Sequence, residues 1–283
     1  SPAEAVLRGA RGLVIGIANT GGIVAPEWIP ALVEALEAGL DLVSGMHNKL
    51  NDHPVLRAEA QRLGRRLIDV RTPPADLPVA TGWKRSGKRL LTVGTDCALG
   101  KKYTALAITR GLLERGVDAE FRATGQTGIL IAGSGMPMDA VVADFAAGAA
   151  ELLTPDADPD HWDVIEGQGS ILHPSYSGVS LALLHGSQPD VFVVCHDPFR
   201  KILLGNGPFE LPPVEDVVDL TTRLGARVNP AIRCGGVAYN TSEMTDEEAD
   251  NFLGAEARRL GMAVADPIRG GDRFEHLLDI CLG

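Results

Sequence analysis

The chain contains 283 residues, 45% of them hydrophobic and 22% charged, so it can fill a sizeable core and is neither collagenous nor disordered. Its formal net charge of −11 disfavours a broad surface for nucleic acid or for anionic lipid. No apolar run reaches the ~20 residues that cross a bilayer, and no signal-peptide pattern opens the sequence. The four cysteines lack the spacing of metal ligands, so we predict no metal site and reduced thiols in a cytoplasmic protein.

The first eighty residues alternate strand-like and helix-like runs. The predicted elements, in chain order, are a strand over 13–18, a helix over 26–39, a strand over 41–45, a helix over 53–63 and a strand over 67–70. A polar, glycine-containing turn at 19–22 ends the first strand. A series of this kind indicates a small parallel sheet, so we predict a Rossmann-like domain over residues 1–80.

A stretch rich in proline and glycine then breaks the alternation. Residues 71–89 show no helical or strand periodicity, and they end in a basic cluster, so we predict an interdomain linker over 81–89. A second alternating series begins at residue 90. Its predicted strands cover 90–93, 120–123, 164–165, 191–195, 235–239 and 262–265. The fold class is therefore α/β, with a second α/β domain over 90–283.

The segment 90–104 is the most informative in the sequence. An apolar strand runs into a turn, then Gly100 and Lys101, then a helix-forming run over 105–115. Successive backbone N–H groups and a helix N-terminus would hold a phosphate there, with Lys101 as the point charge. The predicted phosphate-binding residues are Thr95, Asp96, Cys97, Ala98, Leu99, Gly100, Lys101, Lys102, Tyr103 and Thr104. The alternative is an ordinary glycine-containing turn between a strand and a helix.

This loop departs from the Walker A pattern at two positions. Thr95 stands in place of the first glycine, and Lys102 stands where Walker A loops carry the Ser or Thr that binds magnesium. Thr104 lies two residues further on, where we do not expect it to reach the same place. The sequence therefore favours phosphate binding over hydrolysis of magnesium ATP. We expect the helix N-terminus to lower the thiol pKa of Cys97, although a small loop residue is a simpler interpretation than a nucleophile.

Three further side chains are candidates for catalysis. Glu166 follows a predicted strand, at the edge of the sheet where open parallel sheets bind ligands, so it could bind a cation, orient water or accept a proton. The alternative is a cap at a helix or turn. His173 and Tyr176 follow closely at the same edge, and a structural role for His173 stays open. Cys195 and His196 are adjacent at a strand end and are expected to point in opposite directions, which disfavours a Cys–His catalytic pair.

Arg122 is the best candidate for binding a substrate carboxylate. It ends a predicted strand at the ligand edge, and its guanidinium can pair with a carboxylate through two hydrogen bonds. The alternative is a salt bridge to Asp139 or Asp144, which we place in one helical run but not on one face. Gln126 and Asp139 are the other predicted substrate contacts.

Two sets of motifs resemble known families. Residues 94–101, 166–169 and 235–240 resemble the dethiobiotin-synthetase-like branch of P-loop proteins. Longer matches at 122–128, 166–170, 173–178 and 183–187 resemble the DUF1611 family over nearly the whole chain. Members of that family usually carry a longer N-terminal Rossmann-like domain, so the resemblance, together with a first residue that is not Met, implies a shortened start.

The resemblance to DUF1611 also implies a reaction, because some members transfer acetyl from acetyl-CoA to the amine of D-glutamate. The loop would then hold the phosphates of CoA, a task that needs no magnesium ligand at Lys102. In this interpretation Arg122 pairs with a substrate carboxylate, and Glu166 or His173 removes a proton from the ammonium. Tyr176 or a backbone N–H stabilises the oxyanion. The expected partner is a small amino acid, and the expected assembly a homodimer or larger homo-oligomer.

Two other classes stay open at this point. An ATP- and magnesium-dependent ligase or kinase of the dethiobiotin-synthetase type would use the same loop and Glu166, although Lys102 argues against it. A non-catalytic regulator would bind a nucleotide or CoA without turning over any amino acid.

Overall fold

The computed structural model describes residues 1–17, 19, 21–205 and 207–283, and its internal contacts divide the chain into Ser1–Pro73 and Pro74–Gly283. Ala18 in the first predicted strand and Thr20 in the predicted turn at 19–22 lie outside the described residues. The segment 81–89, predicted as a linker, lies within the second unit. Arg85 fixes it there by donating to the carbonyl oxygens of Thr154 and Gly186, at 2.6 Å each.

The first unit is a three-stranded parallel sheet, as the alternation of elements predicts. Its elements are α1 (Pro2–Leu7), β1 (Gly12–Ile15), a 3₁₀ turn (Pro26–Trp28), α2 (Ile29–Glu37), β2 (Asp41–Ser44), a second 3₁₀ turn (Leu50–Asp52), α3 (Pro54–Leu63) and β3 (Leu67–Asp69). The strands lie in the order β1-β2-β3, all parallel. Leu36, Leu42, Leu50 and Leu56 are fully buried and form the centre of its core.

The second unit is a six-stranded parallel sheet covered by helices. Its elements are β4 (Lys88–Gly94), α4 (Lys101–Glu114), β5 (Ala119–Arg122), α5 (Gln126–Ala132), a 3₁₀ turn (Met138–Ala140), α6 (Ala143–Leu153), β6 (Trp162–Ile165), α7 (Ser177–Ser187), β7 (Val191–His196), α8 (Val214–Gly225), β8 (Arg233–Tyr239), α9 (Asp246–Leu260), β9 (Val264–Ala265) and α10 (Asp272–Leu282). The α/β class and both parallel sheets are confirmed.

Apolar side chains cover both faces of the second sheet. On one face Ile108 of α4 and Leu277 of α10 pack with Val193 of β7. On the other face helices α6 to α9 pack against the sheet, where Phe192 of β7 is fully buried. Because neighbouring residues of a strand face opposite sides, a continuous apolar run such as Val191–Cys195 of β7 is what a sheet covered on both faces requires.

The strand order is β5-β6-β4-β7-β8-β9, so the direction of winding reverses at β4. Chain segments leaving β4 and its neighbours separate at this point and open a crevice at the carboxyl edge, where doubly wound sheets bind ligands. The loop after β4 lies at this edge. The backbone N–H of Thr95 donates to the carbonyl oxygen of Cys195 at 3.2 Å and fixes the start of that loop to β7.

The prediction that Asp139 and Asp144 lie in one helix is wrong. Asp139 lies in the 3₁₀ turn Met138–Ala140, whereas Asp144 lies in the first turn of α6. Val141 and Val142 are extended and separate the two, so the run changes direction between the two acids.

Candidate functional site

The loop between β4 and α4, residues 95–100, is the one in which the sequence predicts phosphate binding, and it is called the phosphate loop below. Ala98 and Gly100 both take left-handed conformations, with φ of 52° and 104°, which turns the backbone into the first turn of α4. Lys101 begins that helix and is 6% exposed. Its Nζ donates to the carbonyl oxygen of Asp96 at 2.6 Å, and burial lowers the pKa of this ammonium. The lysine therefore points back into its own loop, where the sequence predicts a phosphate.

Two glycines let other segments approach this lysine. A Cβ added to Gly94 would lie 3.3 Å from Lys101 Nζ. A Cβ added to Gly167 would lie only 1.6 Å from the carbonyl oxygen of Thr92 and 3.2 Å from Lys101 Cδ. The segment that follows Glu166 is thus packed directly against the loop, and only glycine fits at position 167.

The residues after Lys101 have different surroundings from one another. Lys102 Nζ lies 4.4 Å from the centre of the exposed Tyr103 ring, a cation–π contact at the surface. Thr104 is buried, and its Oγ1 accepts a hydrogen bond from Cys195 Sγ at 3.4 Å. Since this hydroxyl faces β7, it does not stand in for the magnesium ligand that Walker A loops carry at position 102.

Asp96 is a fully buried carboxylate that ties the loop to a distant segment. Its Oδ2 accepts hydrogen bonds from Arg200 Nη1 at 3.0 Å and from the backbone N–H of Leu204 at 2.8 Å. Arg200 also donates to the carbonyl oxygens of Cys97 and Ala98, at 2.5 and 3.3 Å. Sequence reasoning missed Arg200. The available signal was Asp96 itself, since a carboxylate buried in a phosphate loop needs a cation.

His173 is brought to the loop, but its ring is already oriented by a hydrogen bond. The side chain is fully buried, and Nδ1 accepts from the backbone N–H of Ser175 at 3.1 Å. A neutral ring that accepts at Nδ1 carries its proton on Nε2, which lies 3.7 Å from Asp96 Oδ1. Tyr176, half exposed, packs on this ring with 4.7 Å between centroids. His173 is therefore a proton donor facing the loop rather than a base.

Cys97 lies beside this histidine. Single ligand atoms of Asp96, Cys97 and His173 lie within 4.8 Å of one another, close enough for a metal ion. The protonated Nε2 and the carboxylate already bound to Arg200 and Leu204 do not favour one. Burial raises the pKa of the Cys97 thiol and outweighs the nearby Lys101 ammonium, so the expected lowering of this pKa is wrong.

Glu166 holds the start of α5. The carboxylate is 5% exposed, and Oε2 accepts from the backbone N–H groups of Thr124 and Gly125, at 2.9 and 3.0 Å. Burial raises the pKa of this carboxyl, and the two backbone hydrogen bonds act in the opposite direction. These contacts match the turn-cap form of the alternative stated for Glu166, because Thr124 and Gly125 form the turn that precedes α5.

Arg122 does not reach the carboxyl edge of the sheet. Its Nε donates to Asp163 Oδ1 at 2.6 Å, and Nη1 lies 2.9 Å from Glu120 Oε1. In the register of β5 with β6, Arg122 lies opposite Ile165, so Asp163 is two residues back along the strand. The guanidinium is thus turned away from the loop and forms a salt bridge, with partners other than the Asp139 or Asp144 that the sequence suggested.

The other two predicted substrate contacts lie further along the same part of the chain. Gln126 is the half-buried first residue of α5, and Asp139 is exposed in the 3₁₀ turn before α6. The structure therefore gathers Glu166, His173 and Tyr176 around the phosphate loop but does not bring Arg122 to it.

A cleft that sequence reasoning did not anticipate opens beside the loop. His196, the last residue of β7, has Nδ1 2.9 Å from Thr95 Oγ1. Its ring lines an open cleft of about 720 Å³ together with Arg200, Lys201, Tyr239, Phe252, Glu256 and Arg259. Cys195 instead turns its thiol to Thr104, so the two adjacent side chains do point apart, as expected. The sequence signal was the position of His196 at a strand end.

No helix within the described ranges is both long and apolar enough to cross a bilayer.

Comparison with known proteins accounts for both units of the chain. A DUF1611 Rossmann-like domain matches residues 1–73, and a DUF1611 P-loop domain matches residues 78–277. A D-glutamate N-acetyltransferase of Tritonibacter scottomollicae is 51% identical over 95% of this chain and 80% of its own. One from Pseudoalteromonas sp. is 44% identical over 95% and 81%. The crystal structure of a DUF1611 family protein from Anabaena variabilis has a TM-score of 0.90 at 36% identity, covering 99% of this chain and 82% of that one.

Proposed function

The chain belongs to the DUF1611 family, and on that premise we propose that it is an enzyme that transfers an acetyl group to the amine of D-glutamate. The observation that carries the proposal is its 51% identity, over 95% of the chain, to a relative named D-glutamate N-acetyltransferase. The phosphate loop gives the same conclusion a physical basis, because an acetyl donor such as acetyl-CoA carries phosphates.

Acetyl-CoA is the donor that we assign to the loop. Its diphosphate or its 3′-phosphate fits a site made of backbone N–H groups, the N-terminus of α4 and the buried ammonium of Lys101. Lys102 replaces the magnesium-binding hydroxyl, and the Thr104 hydroxyl is directed to Cys195. Both features support a ligand that binds without magnesium.

The reaction is direct acyl transfer. The ammonium of D-glutamate loses a proton, and the neutral amine attacks the thioester carbonyl carbon. The C–N bond forms first, and the C–S bond then breaks as the thiolate of CoA leaves. In the tetrahedral intermediate, the negative charge on the carbonyl oxygen requires a hydrogen-bond donor, either Tyr176 or a backbone N–H. Each such hydrogen-bond donor contributes about 3 kcal/mol in other acyl-transfer enzymes.

The contacts of Glu166 and His173 assign them supporting roles in this reaction. Glu166 holds the turn before α5 through two backbone N–H groups, and His173 Nε2 lies 3.7 Å from Asp96 Oδ1, beyond hydrogen-bond distance. The lone pair of the neutral His173 ring is occupied at Nδ1, so we do not assign His173 as the base, and we assign Glu166 to holding the turn before α5. Arg122 is held by Asp163, so we assign the substrate carboxylate to another cation.

The test is release of free thiol from acetyl-CoA, with D-glutamate, L-glutamate and a panel of small amino acids as acceptors, without nucleotide or magnesium. Thiol release that depends on D-glutamate supports the proposal. If every acceptor fails, the acetyltransferase proposal is wrong, and magnesium-dependent ATP hydrolysis becomes the next activity to measure.

The compartment and the assembly are part of the same proposal. Each of the four cysteines is free, which supports a reducing compartment and hence the cytoplasm. We expect a homodimer or larger homo-oligomer, which light scattering of the purified protein measures.

A further inference from the structure

The cleft beside the phosphate loop has the chemistry of an amino-acid site. Its volume of about 720 Å³ lies within the range of small-ligand clefts, roughly 300–1,000 Å³. It extends from His196 and Arg200, which both contact the loop, to Glu256 and Arg259 on α9. An acceptor bound here would therefore lie next to the ligand held by the loop.

His196 offers this cleft an unoccupied ring nitrogen. Its Nδ1 is bonded to Thr95 Oγ1, and Nε2 has no hydrogen-bond partner among the residues that the structure describes. When Nδ1–H donates to the threonine hydroxyl, the lone pair of the neutral ring is on Nε2. His173 has the opposite arrangement, because Ser175 occupies its Nδ1 and places the proton on Nε2.

The surroundings of His196 favour the neutral ring. Burial lowers the pKa of this histidine, while the carboxylates of Asp197 and Glu256 raise it and the cations Lys201 and Arg259 lower it. The ring also meets Tyr239 edge-on at 5.4 Å, and the Tyr239 hydroxyl donates to Glu256 at 2.6 Å. A neutral imidazole at ordinary pH can take a proton from an ammonium.

The cationic side chains that line the cleft differ in whether a carboxylate of the protein already binds them. Arg200 is bound to Asp96, and Arg259 to Glu215 and Glu256. Lys201 is exposed, and its Nζ donates to the carbonyl oxygen of Pro198 at 3.0 Å. It has no carboxylate partner within the part of the chain that the structure describes, so it is the cation best placed to bind a carboxylate of the acceptor.

We propose that this cleft binds the acceptor, an amino acid with a second carboxylate, and that His196 is the base that deprotonates its ammonium while Lys201 binds a carboxylate. The inference rests on the proposed acetyl transfer. One proton passes from the ammonium to His196 Nε2 and then to solvent. The amine nitrogen bonds to the carbonyl carbon, the C–S bond breaks, and the second proton of the nitrogen ends on the thiolate.

The test compares His196→Asn with wild type and with the control His276→Asn. Asparagine can keep a hydrogen bond to Thr95 from the position of Nδ1 but has no group at Nε2, and His276 is exposed on α10, away from this cleft. We expect kcat of His196→Asn to fall about 100-fold or more, with loss of the limb of the pH profile below about pH 6.5. Added imidazole should restore part of kcat, and the affinity for CoA, measured calorimetrically, should change less than about 3-fold.

Lys201→Met tests the binding half of the proposal. We expect KM for D-glutamate to rise about 10-fold while kcat and the affinity for CoA stay within about 2-fold, since one charged contact is lost from a partly solvated site. An unchanged kcat and pH profile in His196→Asn, or an unchanged KM in Lys201→Met, overturns the inference while wild-type turnover keeps the proposed function. A wild-type protein that acetylates no amino acid overturns both.

Discussion

Thr95 Oγ1 and His196 Nδ1 lie 2.9 Å apart, so the first residue of the phosphate loop is bonded to the last residue of β7. The backbone repeats this connection, because the Thr95 N–H donates to the carbonyl oxygen of Cys195. A change of loop conformation at Thr95 therefore acts directly on the histidine that lines the cleft. The donor and acceptor sites that we propose share this pair of residues.

Lys101 and Lys102 are predicted to differ sharply in their contribution to CoA binding. Lys101→Met removes a buried ammonium from inside the loop, and we expect the affinity for CoA to fall about 100-fold. Lys102→Met removes a surface cation on the Tyr103 ring, and a change below about 5-fold is expected. Calorimetric titration with CoA measures both. Equal losses in the two variants would contradict the site as we describe it.

Glu166→Gln separates the two roles considered for this carboxyl. If Glu166 holds α5, the amide keeps an acceptor for Thr124 and Gly125 and turnover stays within about 5-fold of wild type, whereas an acid–base role costs about 100-fold or more. Glu166→Ala leaves those N–H groups without partners and should lower the free energy of unfolding by about 1–3 kcal/mol. Thiol release and urea denaturation of both variants decide between the roles.

We also expect the Glu166 carboxyl to make the free energy of unfolding depend on pH. Burial raises its folded-state pKa above the ordinary value of 4.5, so the folded protein binds the proton more tightly than the unfolded chain does. Stability from this group is present below pH 4.5 and is lost as pH rises through the folded-state pKa. The free energy of unfolding of wild type relative to Glu166→Gln should therefore fall over that range, and a rise there would contradict the assignment.

We expect the effects of Arg200 and Asp96 on the free energy of unfolding to be coupled. Arg200→Ala leaves a fully buried carboxylate without its cation, and we expect a loss of about 2–3 kcal/mol in the free energy of unfolding. In the double variant with Asp96→Asn the cost of removing Arg200 should shrink, because the charge to be compensated is gone. Denaturation of the two single variants and the double variant gives the coupling. Additive losses would show that the pair does not hold the loop.

Arg122→Met is predicted to affect stability and not substrate affinity. Asp163, its partner, is 1% exposed, so removing the guanidinium should cost about 1–3 kcal/mol. The matched control is Arg110→Met, an exposed arginine paired with Glu114 on the surface of α4, with a change below about 0.5 kcal/mol. KM for D-glutamate should stay within about 2-fold in both. A rise of KM confined to Arg122→Met would restore its role as the carboxylate-binding residue.

We expect Gly167→Ala to disrupt the site through a steric clash. The added Cβ would lie 1.6 Å from the carbonyl oxygen of Thr92, so β4 or the segment after Glu166 must move, at a cost of about 3 kcal/mol or more. Gly178→Ala, in the first turn of α7 with open space around its Cβ position, should change stability by less than about 1 kcal/mol. Thermal unfolding compares the two. Similar melting temperatures would exclude the close contact.

Local patterns were sufficient to predict both sheets and the arrangement of strand, turn and helix around Gly100 and Lys101. Gly100 and Lys101 follow the apolar strand and the turn directly in the chain. A parallel sheet with helices on both faces needs strands that are apolar on both sides, so its strands appear in the sequence as continuous apolar runs, such as Val191–Cys195 of β7. The helix over 26–39 starts instead as the 3₁₀ turn Pro26–Trp28, followed by α2 with Pro30 in its first turn. Proline lacks the N–H that a later turn of the helix would need.

Contacts between distant segments could not be predicted in the same way. The partner of Arg122 depends on the register of β5 with β6, which places Asp163 within reach, whereas Asp139 and Asp144 were suggested by their closeness in sequence. Arg200 lies about a hundred residues after Asp96, in a segment without helical or strand periodicity. The role of His196 depends on a hydrogen bond to Thr95 across two strands, a relationship that no spacing within one segment encodes.

The position of β4 at the centre of its sheet also sets the order in which a growing chain can complete the site. Leu90 pairs on one side with β6 at Val164 and on the other with β7 at Val191, both synthesised long after it. The first sheet, within Ser1–Pro73, uses only strands that are close in sequence and is available early. The phosphate loop acquires its carbonyl partner only when Cys195 has left the ribosome, so this loop stays unfinished while about a hundred further residues are added to the nascent chain.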